Sequence, residues 1–508
     1  MATLSIPATR RRALRHCALP AALAGAFGAM IPAASAQSLL QRLATDPRAA
    51  DFAALDFNQR LAFARDYGLD RLLPHTQGAP IPVANCNDAG AGSLRAAVAA
   101  ASSGDTIDAT QLSCGTITLS TGSIAISVDD LTINGPGPDA LVVRNGAKYG
   151  RVFNHAGSGA LTLTGMHVYH GVVASGATES GTKGGCIYSN GAVNLGNAFD
   201  PANRAQGVIV SGCSAIAKQS DEKAVGGGVF AKTGLSLSSS VVSGCSATAS
   251  DAATQAYGGG VSLKSTVDNA PFAAKYSEVR GNSASGTTSI SGGIDAGFIS
   301  SVLVQNTTIA GNSARSRAGG AYLGTNSGNE VDIENSTISG NTSTNGEAGL
   351  IVNTISTSLH GTIRLRSSTI TNNSSGGSSY AGAFLGGPTE LQSTIISGNL
   401  ANGVPKDLRV MGTATGADNL VGTATALDAP PSGRIASDDP GLAPLANHGG
   451  VGRTHALLPT SAAIDAGNNA LGADFDQRGD GHPRVLGARA DIGAFEGDPD
   501  VIFDNGFE

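Results

Sequence analysis

The sequence predicts an all-β chain: a right-handed parallel β-helix with short helices ahead of it and a cap region behind it. Two observations carry this. Gly makes up 70 of 508 residues, Trp is absent and only 14% of residues are charged. Gly, Ser, Thr, Asn and Ala interleave with Val, Ile and Leu, which is how a many-turned β protein reads. The second observation is a repeat. It runs Val210-Ser-Gly-Cys213, Val242-Ser-Gly-Cys245, Val279-Arg-Gly-Asn282, Ile309-Ala-Gly-Asn312, Ile338-Ser-Gly-Asn341, Ile370-Thr-Asn-Asn373 and Ile396-Ser-Gly-Asn399. Six steps take Cys213 to Asn399, a mean of 31 residues each. A second phrase follows the first six: Gly228-Val229, Gly260-Val261, Gly293-Ile294, Gly320-Ala321, Gly349-Leu350 and Gly382-Ala383.

The spacing suggests three short strands and three turns per coil, with successive coils paired in parallel about 4.8 Å apart. The aliphatic of each phrase then stacks on its equivalent as an inward ladder. The Asn or Cys three residues later forms a second ladder at a bend. Stacked amides can bond from coil to coil, and Asn tolerates the left-handed backbone that a bend needs. A two-sheet sandwich would not require one residue type at one place seven times.

The ends differ in texture. Residues 1–36 read as a signal peptide: Arg10, Arg11, Arg12 and Arg15, an apolar stretch from Ala18 to Ile31, then Ala34-Ser35-Ala36 at the cleavage positions. Both the twin-arginine and the general secretory routes fit. Secretion, or display at a bacterial cell surface, is expected, with the periplasm as the other destination. Residues 37–84 read as a short helical segment and linker, the linker being Gln77 to Pro82. Leu39, Leu43, Phe52, Leu55 and Leu61 have helical spacing. Residues 85–165 hold an N-terminal cap and the first coils, with a helix from Ser93 to Ala101 that Ser93 caps and Gly104 ends. Such a helix closes the open edge of a solenoid. Residues 166–404 carry the repeats, 405–496 the last coils and the cap region, and 497–508 an acidic tail. No stretch after the signal is long and apolar enough to span a membrane. Removing the four arginines of the signal from 32 basic and 39 acidic residues leaves a net charge of −11. That charge argues against nucleic acid as a partner.

Two stretches resemble segments of exported bacterial proteins. Asn85-Cys-Asn-Asp88, Gly92 to Val98, Gly104 to Asp108 and Cys114 to Leu119 look like the start of exported right-handed β-helix proteins. Asp439-Pro-Gly-Leu-Ala-Pro-Leu-Ala446, Thr454 to Pro459, Ala463-Ile-Asp-Ala-Gly467, Asp476-Gln-Arg-Gly479 and Asp491-Ile-Gly-Ala-Phe-Glu496 resemble the choice-of-anchor Q domain. Val451 departs from that pattern, which usually has Pro there. The resemblance implies export and a β-helix, and no reaction.

Related β-helix folds include pectate-lyase-like enzymes, which use clustered acids to hold Ca²⁺ or as acid and base. Glu330, Asp332 and Glu334 share one strand face and so form a candidate site. The repeat register sets Asp332 level with Arg364 and Glu390, and Glu334 level with Arg366 and Gln392, within cross-strand pairing range. The catalytic candidates Asp332, Glu334, Arg364 and Arg366 therefore also read as a salt-bridge ladder. Asp129 and Asp130 are neighbours at a strand start, so they point apart and suit a turn better than glycoside hydrolysis. His167 and His170 lack ligand-like neighbours for a metal. Asp474 to Gly481 superficially suggests a Ca²⁺ loop, but Arg478 takes a ligand position and Val485 the closing one. No cofactor is assigned, and a Ca²⁺ site elsewhere in this acidic chain stays open.

Export permits disulfides. Cys86 and Cys114 flank the cap helix and are expected to pair. Cys213 and Cys245 share a register in successive coils and are expected to pair as well, two stacked free thiols being the alternative. Cys186 replaces the Gly of the second phrase and is expected to stay buried and unpaired. The resulting expectation is an exported, non-catalytic β-helix presenting an extended binding face, adhesin-like, to an extracellular glycan or surface protein. A polysaccharide lyase or glycoside hydrolase is the alternative; it would need unpaired acids and aromatic sugar platforms.

Overall fold

The computed structural model describes residues 79–498, apart from 177–180, 199, 201, 251, 265–269, 326–328, 355–360 and 426–432. The expected signal peptide, the helices before residue 79 and the tail from 499 lie outside the described residues.

The described chain is a right-handed parallel β-helix. Each full coil visits four sheets in turn. In one coil the strands are Val331–Glu334 in sheet I, Thr337–Ser339 in sheet II, Thr342–Ser343 in sheet III and Leu350–Asn353 in sheet IV. The four sheets hold 12, 11, 9 and 11 strands, and a fifth holds three. The expectation of three strands per coil is met only in the first two coils and in the last, Ala414–Ala417, Leu420–Val421 and Ala424–Thr425. From Val172–Ala174 to Leu400–Ala401 a strand of sheet III is inserted after the bend. Every strand pair is parallel except Leu400–Ala401 with Val404–Pro405. The expected linker ending at Pro82 is a correction too: Ile81–Pro82 pairs with Ile107 and Asp108 and opens sheet I.

The inward ladder forms as the repeat predicts. Val210, Val242, Val279, Ile309, Ile338, Ile370 and Ile396 pair in succession, all but fully buried. Burying each such side chain contributes roughly 1.5–3 kcal/mol. At the N-terminal end, Leu94–Ala100 forms the expected helix, with Leu94, Ala97 and Val98 in the main core. The Ser93 hydroxyl accepts from Ala96 N, and the helix ends at Ala101 rather than at Gly104.

The second ladder also forms. Asn282 Nδ2 donates to Asn312 Oδ1 at 2.9 Å, Asn312 to Asn341 at 3.0 Å, Asn341 to Asn373 at 2.9 Å and Asn373 to Asn399 at 2.8 Å. Each backbone N–H of the row donates to the same acceptor. The left-handed residue is not the Asn. It is the residue before it: Gly281, Gly311, Gly340 and Gly398, with Asn372 where no Gly stands. Because every amide donates toward the C-terminal end, the last one needs a pure acceptor. Asp407, from a loop, supplies it: Asn399 N and Nδ2 both donate to Asp407 Oδ1 at 2.8 Å. The glycines of the second phrase face this row. A Cβ on Gly320 would sit 2.3 Å from Gly349 O and 3.0 Å from the Asn341 amide.

A third ladder, of hydroxyls, lies at the bend from sheet I to sheet II. Ser240 N donates to Ser277 Oγ, Ser277 N to Thr307 Oγ1, Thr307 N to Ser336 Oγ, Ser336 N to Ser368 Oγ and Ser368 N to Thr394 Oγ1. The residue before each is left-handed: Ser239, Tyr276, Asn306, Asn335, Ser367 and Ser393.

The C-terminal region begins on the last coil, where Ile435 bridges to Leu420, and then runs back along the outer face of sheet II. The outward Thr and Ser of the repeat hold it. Thr308 Oγ1 donates to Arg453 O at 2.7 Å, Gln477 Nε2 donates to Thr308 Oγ1 at 2.8 Å, and Ser339 Oγ lies 2.8 Å from His455 Nε2. Ala494 N donates to Thr369 Oγ1, and Arg453 pairs with Glu278 at 2.7 Å. The expected cap is therefore a cover for one flank as much as for the end.

Candidate functional site

The cysteines correct two expectations, the Cys213–Cys245 pair and the unpaired Cys186. Cys86 and Cys114 are bonded, with Cα atoms 6.2 Å apart. Cys213 is bonded to Cys186, with Cα atoms 5.5 Å apart, and Cys245 is the free, buried thiol. Residues stacked in one row project their side chains side by side. Residues in facing rows project them at each other. Cys186 stands in the glycine row, opposite Gly171, which occupies the Asn row of the same coil. The space that Asn fills elsewhere is thus open to the Cys186 sulfur, which reaches Cys213 of the next coil. Gly171 was the sequence signal for this pairing.

The acid candidates lie where the register puts them. Asp332 pairs with Arg364 and Arg364 with Glu390; Glu334 pairs with Arg366 and Arg366 with Gln392. Arg364 bonds Glu330 and reaches Asp332 at 3.3 Å and Glu390 at 3.5 Å. Arg366 reaches Glu390 at 3.0 Å and Glu334 at 3.5 Å. The hydrogen bond from Arg364 holds Glu330 below the usual carboxylate range, while burial and the charge of Asp332 push Glu334 upward. The structure brings Asp332, Glu334, Arg364 and Arg366 together as one ion-pair ladder beside an open depression of about 550 Å³. Every carboxylate in it shares an arginine. Partly exposed pairs of this kind contribute about 0–1 kcal/mol each.

The other flagged residues are tied into turns. Asp129 accepts from Ser158 N and Oγ at 2.8 Å, and Asp130 from Ala160 N at 2.8 Å. Asp476 is buried and gripped by Arg478 at 2.7 Å. Arg484 is buried against Glu496 at 3.2 Å. These residues hold the C-terminal region together.

The face that the sequence reading missed is the outside of sheet IV. Its outward row runs Tyr188, Phe230, Ser262, Asp295, Tyr322, Ile351, Phe384 and Arg409, one per coil. Cations lie over rings along it. Arg151 is 5.2 Å from the Tyr188 ring, Lys183 5.5 Å from Phe230, Lys264 4.9 Å from Tyr257 and Arg409 5.5 Å from Phe384. Lys406 and Arg409 both approach Tyr380. Tyr188 and Phe230 are stacked and buried beneath Val225 and Tyr257. In mid-row Asp295 is fully buried. Lys264 Nζ is 2.9 Å away and Ser262 Oγ donates to it at 3.1 Å, while burial raises its carboxyl. Tyr322, Phe384, Tyr380 and Arg409 are part-exposed. The signal was present in the second phrase: the residue after the aliphatic, as in Gly228-Val229-Phe230 and Gly382-Ala383-Phe384, points outward.

No family model matches the chain, and neither curated proteins nor solved structures return a similar one.

Proposed function

We propose that the chain is an exported, non-catalytic β-helix that binds an extracellular glycan along the outer face of sheet IV, in the manner of an adhesin. One observation carries this: Tyr322 and Phe384 stand part-exposed on that row, with Arg409 over the Phe384 ring and Tyr380 beside it, in a chain with only 4% aromatic residues and a net negative charge. Aromatic faces pack on sugar rings, and a coil spacing of about 4.8 Å is close to the length of one pyranose. Export rests on the basic and apolar N-terminal sequence, and two disulfides suit an oxidising compartment. The segment from Asp439 to Glu496 is read as a choice-of-anchor Q domain on its motifs.

A polysaccharide lyase or glycoside hydrolase is the second reading. It is favoured by Glu330 and Asp332, which line the open depression of about 550 Å³ where a substrate would reach them. A glycan array probed with the mature chain and with Phe384→Ala separates the two. Binding that drops roughly tenfold in the variant, without depolymerisation, is the expected result. Cleavage lost in Asp332→Asn would establish the enzyme instead, and an array without hits would end both.

A further inference from the structure

The C-terminal region covers the outer face of sheet II only from Glu278 onward. In the coils before it the same two outward rows are Val142, His167, Ile209 and Val241, and Arg144, Tyr169, Ser211 and Ser243. No hydrogen bond from the C-terminal region reaches these residues among the described residues. Here the small hydroxyls of the repeat give way to a cationic and aromatic group. Arg144 and Tyr169 are cross-strand neighbours, with the guanidinium 5.7 Å from the ring centroid. His167 and His170 flank that ring at 5.5 and 5.6 Å. His167 Nε2 is fixed by Ser211 Oγ at 2.7 Å.

Arg144 differs from the ion-paired arginines of this solenoid. Arg364, Arg366, Arg280 and Arg317 all meet carboxylates. Arg144 meets none among the described residues, and its Nε is buried with no acceptor. A guanidinium donates five N–H bonds and matches a carboxylate through two of them. A buried donor left without a partner is penalised, so a ligand that brings an acceptor to this guanidinium gains binding.

We infer that Arg144, Tyr169, His167 and His170 form a subsite for an acidic sugar. Its carboxylate is taken by Arg144, its ring lies against the exposed part of Tyr169, and the histidines bond its hydroxyls. The site is on sheet II and does not depend on the sheet IV face.

Calorimetric titration of the mature chain with trigalacturonate, galactotriose and inorganic sulfate tests it. Trigalacturonate is expected to bind at least about tenfold more tightly than either other probe, and Arg144→Gln to weaken it by about tenfold or more. Tyr169→Ala should weaken it as well, and Arg409→Gln on sheet IV should leave it unchanged. Unchanged circular dichroism checks that each variant folds. Trigalacturonate bound equally by wild type and Arg144→Gln would overturn the site. So would sulfate bound as tightly as trigalacturonate, which would mean a small-anion site only, or galactotriose bound equally well, which would remove the carboxylate.

Discussion

Cys245 shows how much one neighbour decides at the residue scale. It stands in the same row as Cys213, yet its thiol faces Gly228, whose missing Cβ would lie 3.1 Å from the sulfur. Burial pushes that thiol up to about 12, so almost no thiolate exists at neutral pH. The native mature chain, without Cys17 of the signal peptide, should therefore resist alkylation by iodoacetamide at pH 8 and take up one label per chain at Cys245 once unfolded without reductant. Peptide mapping reads both states, and rapid labelling of the native protein would contradict the structure. Arg364 and Arg366 illustrate the opposite case. Their partners Asp332 and Glu334 were legible because the repeat fixes the register, and residues in register on one face of parallel strands must touch. Glu330 precedes the strand Val331–Glu334, so its bond to Arg364 follows from the fold and not from the strand register.

At the scale of the element, the ladders do the stabilising. Asn341 Oδ1 accepts from Asn312 N and Nδ2, and its own amide donates to Asn373 Oδ1 and Ile309 O. Asn341→Leu would leave two buried donors of Asn312 without an acceptor. At about 1–3 kcal/mol for each, the expected loss is about 3 kcal/mol or more, measured by chemical denaturation. Substituting the exposed Thr342 next to it should cost little. The Asn row was legible in the sequence because Gly-Asn recurs after the buried aliphatic. The hydroxyl ladder from Ser240 to Thr394 was not, since Ser and Thr also fill exposed turns and composition does not separate the two. The closing acceptor Asp407 was invisible for a different reason: it reaches the row from a loop outside the repeat.

For the molecule as a whole, the question is how the C-terminal region stays on the flank of sheet II. Glu496 accepts from Leu486 N and Asp491 N and meets Arg484, yet burial pushes its carboxyl up to about 7. A carboxyl raised from 4.5 binds its proton more readily in the folded chain. Its contribution is therefore complete below about pH 4.5 and is lost as pH rises through about 7. Between pH 5 and 8 the wild type should lose about 2–3 kcal/mol more stability than Glu496→Gln does. Parallel pH slopes for the two proteins would refute this. By itself the sequence determined the solenoid, its inward ladder, the Asn row and the level of each acid with its arginine. All of these are consequences of a repeat, which places equivalent residues one above another. Only the tertiary structure decided what faces what across a coil: Cys186 opposite the vacant Asn position, the fourth strand, the C-terminal region laid along sheet II, and the aromatic row left on sheet IV. Those depend on the direction in which side chains from non-equivalent positions project, and a one-dimensional register carries no information about that.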